Sequence, residues 1–184
     1  MAACWWPLAI RALSVLRLTL IRHGNAEWKD SSIADFDRPL NKRGVSEAEG
    51  ISKVLLEAQL VPELLLASAA KRTQQTAEIV GRVLGLATRR VKLVEQLYLA
   101  RAEVILSIAQ ATGPKMTHLA IVGHNPGISE LARALAPEEA QITELATGCA
   151  CALTFTTTTW STLEGPAANA VRYEPPAKLF KLFS

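Results

Sequence analysis

Cysteine is scarce in this chain: three residues in 184, Cys4, Cys149 and Cys151. An odd count without regular spacing excludes a disulfide framework and points to a reducing compartment, the cytoplasm. Histidine is equally scarce, again three, and too few ligand-type side chains are grouped for a metal centre. No apolar run is long enough to cross a bilayer. The apolar opening stretch, with Trp5 and Trp6, meets its first charge only at Arg11. A secretory signal places its positive charge ahead of the apolar segment. Residues 1–15 are therefore read as an N-terminal arm, with an organelle address as the weaker alternative. The net charge of +3, from 20 basic and 17 acidic residues, is too mild for a nucleic-acid footprint. Repeats, linkers and biased segments are missing, and no oligomeric state is legible. What is left is one domain, residues 16–184, with an ordinary 49% of hydrophobic residues.

Within that domain, apolar strands alternate with amphipathic helices. Leu16 to Ile21 reads as a buried strand, followed by a polar loop from Glu27 to Arg38 that includes Asp30, Ser31 and Asp35. Asn41 is placed to cap a helix on which Val45, Ala48, Ile51, Leu55 and Ala58 recur at helical spacing. Leu64 to Ala67 forms the second strand. Ser68 is positioned to cap a second helix running to about Leu84, with Gly85 as its stop. Val91 to Val94 is the third strand, and Arg101 to Ala111 the third helix, with Val104, Ile105 and Ile108 on one face. Leu119 to Val122 is the fourth strand. Asn125 as cap and Pro126 at the first helical position start a fourth helix, closed by Pro137. Cys149 to Thr157 and Val171 to Tyr173 supply two more strands, the last stopped by Pro175 and Pro176. The order predicts an α/β fold, a three-layer α/β/α sandwich around a mainly parallel central sheet.

In such a sheet, ligands bind beyond the carboxyl ends of the strands. The first strand ends in Arg22-His23-Gly24, the second in Ser68, the third in Glu95 and the fourth in His124, so all should meet at one edge. Arg22 offers a planar cationic fork for phosphate oxygens. His23 is a nucleophile usable at neutral pH. Gly24 lets the backbone turn and approach an anion. Arg72 lies near the start of the second helix, where free N–H groups and the helix dipole already favour an anion. His124 stands at a strand end before a helix start and can donate to a phosphate oxygen. His118, roughly 20 Å from His124 along the strand, reads as structural. Cys149 and Cys151 share one strand face and read as core. Two histidines and two arginines around an anion point to phosphoryl transfer, with arginine supplying the charge that a metal would otherwise bring. No metal or other cofactor is called for. The nearby arginines should lower the pKa of His23 and keep it nucleophilic.

These residues also carry a resemblance. Leu20-Ile21-Arg22-His23-Gly24 resembles the signature of the histidine phosphatase (phosphoglycerate mutase-like) superfamily. The stretches Ser68 to Thr76 and Val122 to Gly127 resemble its second and third motifs, although Ala69 stands where the family usually has proline. The compact length, with Asp35 to Gly44, Glu95 to Tyr98 and Ala146 to Gly148, is similar to the SixA-type phosphohistidine phosphatase branch. The resemblance implies His23 as nucleophile and His124 as its catalytic partner. It further implies Arg22, Arg72, Gly24, Asn25 and Thr147 as substrate-binding residues. In mutase-like relatives a glutamate protonates the leaving group, which makes Glu95 the candidate acid, with Asp35 and Glu27 as alternatives. The implied substrate is a phosphorylated protein or a small phosphate ester.

Overall fold

A computed structural model of the chain describes residues 15–27, 32–167 and 169–174. The N-terminal tryptophans, Cys4, Asp30, Ser31 and the Pro175-Pro176 stop lie outside the described residues.

Six strands form one sheet: β1 (Leu16–Arg22), β2 (Leu64–Ser68), β3 (Val91–Val94), β4 (His118–Gly123), β5 (Ala150–Phe155) and β6 (Asn169–Tyr173), in the spatial order β3-β2-β4-β1-β5-β6. The block β3-β2-β4-β1 is parallel throughout, whereas β5 pairs antiparallel with β1, and β6 antiparallel with β5. The sheet is therefore mixed, with its parallel majority as expected. Helices α1 (Lys42–Glu57) and α2 (Lys71–Val83) cover one face, while α3 (Ala102–Gln110) and α4 (Gly127–Leu135) cover the other.

The strands are apolar on both sides because both sides are covered. Leu16, Leu18 and Leu20 of β1 enter the core under α3 and α4 with Ile105, Ile128 and Leu131. Ile21 turns the other way and meets Ile51, Leu55, Ala77 and Val80 from α1 and α2. Each fully buried leucine of this kind contributes roughly 1.5–3 kcal/mol.

Local signals decide the helix starts. The Asn41 side chain accepts from the Gly44 N–H at 2.9 Å and begins α1 as expected. Ser68 does not cap α2. The cap position is Ala70, and Ser68 is the fully buried last residue of β2, its hydroxyl committed elsewhere. Asn125 is likewise displaced as cap by Pro126. Its Oδ1 accepts from Ser129 Oγ at 2.8 Å, and its Nδ2 donates to the Leu145 carbonyl at 3.1 Å. Val45 and Val104, expected on core-facing stripes, are exposed beside buried neighbours because they face outward from α1 and α3, and Ala58 is exposed as the residue that ends α1. His118 is buried with its Nε2 at 2.9 Å from Thr19 Oγ1, the structural role expected of it.

Parallel register brings the strand ends together: Arg22 pairs with Gly123, and Ala67 with Val122. The loop after β1 packs directly on the start of α1. A Cβ on Gly24 would strike the Gly44 carbonyl, and one on Gly44 would strike the Asn25 carbonyl. Leu99, just after the 3-10 turn Glu95–Leu97, has φ 48°. This left-handed conformation costs a leucine roughly 1–2 kcal/mol.

Candidate active site

A cavity of about 380 Å³ opens at the carboxyl edge of the parallel block, and Arg22, His23, Arg72 and His124 all line it. The two imidazoles meet edge to face, with centroids 5.1 Å apart. Arg72, the second residue of α2 and 5% exposed, lies between them. Its Nε is 3.3 Å from His23 Nε2 and its Nη2 is 3.2 Å from His124 Nδ1. The opposite edge of the same guanidinium is held by Asp35, with Nη1 on the carbonyl at 2.5 Å and Nη2 on Oδ2 at 3.0 Å. Asp35 thus grips the back of the fork and leaves its front edge facing two imidazole nitrogens.

These contacts assign the tautomers. His23 Nδ1 is 2.7 Å from the Gly24 carbonyl, which can only accept, so Nδ1 carries the proton and Nε2 keeps its lone pair toward the cavity. Arg72 donates toward that lone pair. His124 Nδ1 likewise faces an arginine donor, so its proton is on Nε2 and goes to Ser68 Oγ at 2.8 Å. Burial is the main cause that lowers the His23 pKa to about 4, and Arg72 and Arg22 lower it further against the Gly24 hydrogen bond and Asp35. Desolvation, more than the expected arginine charge, therefore keeps this imidazole neutral. His124 is lowered to about 3 by burial first, then by His23 and Arg72.

Arg22 donates through Nη1 to the Leu145 carbonyl at 2.6 Å and approaches Glu144 at 3.5 Å. Its Nε is buried without a hydrogen-bond partner. A donor of this kind, at the wall of a cationic cavity, fits an oxygen of a bound anion.

Asn25 and Thr147 line the cavity as expected. Both are anchored by Glu47, which the sequence reading did not single out. Its carboxylate, 1% exposed, accepts from the Asn25 N–H at 2.8 Å, Thr147 Oγ1 at 3.0 Å and Arg43 Nε at 2.8 Å. Gly24 is not among the cavity-lining residues. Its N–H donates to Thr76 Oγ1 at 3.2 Å, so its part is to orient His23 through its carbonyl.

The candidate acids fare differently. Glu95 is exposed and does not line the cavity. β3 is three strands from β1, on the order of 14 Å across the sheet, and this is why Glu95 does not join the cup. Glu27 does not line it either. Asp35 does, but it is held as the carboxylate. Burial pushes its pKa up, yet hydrogen bonds from Tyr98 OH at 2.8 Å and Arg72, with the charges of Arg72 and Arg38, hold it below its ordinary value. Among the described residues no three His, Cys, Asp or Glu side chains form a group that could hold a metal ion, and no helix is long and apolar enough to cross a membrane.

Comparison with known proteins gives the family. The family model of the histidine phosphatase superfamily (branch 1) matches residues 18–98. An uncharacterized chloroplastic protein of Arabidopsis thaliana is 31% identical over 127 residues, a match covering 65% of this chain and 58% of the relative's length. Two solved structures go by the name of SixA phosphohistidine phosphatases. That of Agrobacterium tumefaciens is 30% identical with a TM-score of 0.69, covering 76% of this chain and 92% of that one. That of Nakamurella multipartitia is 25% identical with a TM-score of 0.75, covering 89% and 98%. The chain belongs to the histidine phosphatase superfamily. Within it, the chain falls in the SixA-type branch and is by family a phosphatase.

Proposed function

We propose that this protein hydrolyses phosphohistidine in a partner protein through a phosphohistidine on its own His23, without a metal ion. His23 Nε2, neutral and aimed into the cavity, attacks phosphorus. The bond from phosphorus to the substrate nitrogen breaks, and its electron pair stays on the departing imidazole. Arg72 and the unpartnered Arg22 Nε take the phosphoryl oxygens and supply the positive charge. A bound dianion favours protonation of His124 at Nδ1, which turns that nitrogen from acceptor to donor. Water then adds to phosphorus, the bond to Nε2 breaks with its electrons returning to His23, and the water proton passes to the released phosphate.

The observation that supports a phosphoramidate over an ester is the protonation of the cavity. Among the described residues its one lining carboxylate is Asp35, which is held ionised and tied to Arg72. An alkoxide leaving group needs a proton donor. An imidazole leaves phosphohistidine as the neutral ring once its other nitrogen is protonated, which occurs near neutral pH, and so needs no proton from a carboxyl group. The buried, unpaired thiols Cys149 and Cys151 fit a reducing compartment, the cytoplasm. The second reading, a phosphatase of small phosphomonoesters, draws on the openness of the same cavity. Turnover of a phosphohistidine protein against simple phosphomonoesters, each with and without chelator, separates them. A kcat/KM at least tenfold higher for the phosphoramidate, unchanged by chelator, is expected. Preference for the ester, or loss with chelator, overturns the reading.

A further inference from the structure

Leu99 is the structure's most exposed large apolar side chain among the described residues, at 54%, and it lines the catalytic cavity. Its backbone conformation suits glycine or asparagine far better than leucine. The other two non-glycine residues with positive φ, Gln59 and Gln141, close a helix and a 3-10 turn, where that geometry is ordinary. Leu99 also closes a turn, third in the bonded turn Leu97–Ala100 after the 3-10 turn, but at a position that glycine or asparagine ordinarily fills. It is presented from a fixed corner: Leu97 and Ala100 on either side are buried, and the Ala100 N–H donates to the Leu97 carbonyl at 3.4 Å. Gly127 at the start of α4 has no Cβ because one would strike the Ala100 carbonyl. The corner is thus clamped between the 3-10 turn and α4, and the strain is spent on holding a leucine at the mouth.

In-line displacement fixes what the mouth receives. The nucleophile is at the floor, so the leaving group lies on the far side of phosphorus, toward solvent. Leu99, half-exposed and lining the cavity, stands at its solvent-facing mouth. Next to it the Tyr98 ring meets His124 edge to face at 5.6 Å, and Phe36, 39% exposed, meets Tyr98 at 5.0 Å. Tyr98 and Phe36 thus form an aromatic pair behind the cavity wall, and Leu99 is the one large apolar side chain among the residues that line the cavity itself.

We propose that Leu99 is a specificity-determining residue that packs on a planar ring in the leaving group and selects ring-linked phosphoryl donors, imidazole or phenol, over aliphatic phosphates. The proposal rests on the phosphatase reading above and adds a residue and a substrate class to it. The test compares Leu99→Asn, Leu99→Met and the unaltered protein on three probes: a phosphohistidine peptide, an aryl phosphate and glycerol phosphate. Asparagine tolerates the left-handed conformation, so the fold is kept, and the thermal midpoint should hold or rise. Leu99→Asn should lose about tenfold in kcat/KM on the ring-linked probes and less than twofold on glycerol phosphate. Leu99→Met should keep the preference. Loss on only one ring-linked probe supports the role and assigns it to that ring. An equal loss on all three probes, or none, overturns the lip alone. An unaltered protein inert to all three refutes the phosphatase reading and the lip with it.

Discussion

Replacing Arg72 by lysine separates the charge of the clamp from its shape. The guanidinium reaches both imidazoles through Nε and Nη2 while Asp35 holds its other edge, at 2.5 and 3.0 Å. An ammonium has the charge but only one donor centre, so it can serve Asp35 or the phosphoryl group, not both in one geometry. Charge-assisted hydrogen bonds contribute about 1.5–3 kcal/mol each. Losing one to two of them in the transition state, with the charge kept, costs roughly 3 kcal/mol, a fall of about a hundredfold in kcat. The assay is steady-state turnover at saturating substrate, with circular dichroism and a melting curve to show that the buried site still folds. Activity within twofold of the unaltered protein would show that a positive charge suffices and that the fork is irrelevant.

Asp35→Asn should lower kcat about tenfold because the fork loses its ionic backing, yet tighten inhibition by inorganic phosphate because a like charge leaves the cup. Parallel weakening of both, or disappearance of the basic limb of the pH profile, would make Asp35 an acid instead. The protein should also be acid-labile. His118, 6% exposed, has a pKa lowered to about 4, foremost by burial, against 6.5 when unfolded. The unfolded chain binds its proton first, so this stabilisation is complete above pH 6.5 and lost as pH falls toward 4, about 3 kcal/mol in all. His23 and His124 push the same way. Urea midpoints at pH 7.5 and 4.5 for the unaltered protein and His118→Gln check this: the variant should lose less on acidification, and equal losses would contradict it.

The strand ends were readable because β-periodicity and the alternation of elements place residues 22, 23, 68 and 124 without any knowledge of side-chain contacts. Direction was less so. Nothing in the apolar pattern of β5 and β6 distinguishes antiparallel from parallel pairing, and both arose as strands only. The side chains that hold the site were not legible, because their partners are far off in sequence. Asp35 meets Tyr98 63 residues away, and Thr147 meets Glu47 100 residues away. Such bonds leave no period. Ser68 misled for a local reason: a serine before a helix reads as a cap, and here β2 holds it two residues ahead of the cap position, where it meets His124. Glu95 misled because topology places β3 at the outer edge of the sheet.

The central claim is that His23 takes the phosphoryl group. Rapid quenching into alkali, where phosphohistidine survives, after mixing with radiolabelled phosphohistidine protein tests it most directly. Label should appear on the peptide that contains His23, decay with turnover and be missing from His23→Ala, whose fold is intact by circular dichroism. Label on another residue, or undiminished turnover by His23→Ala, would contradict the account.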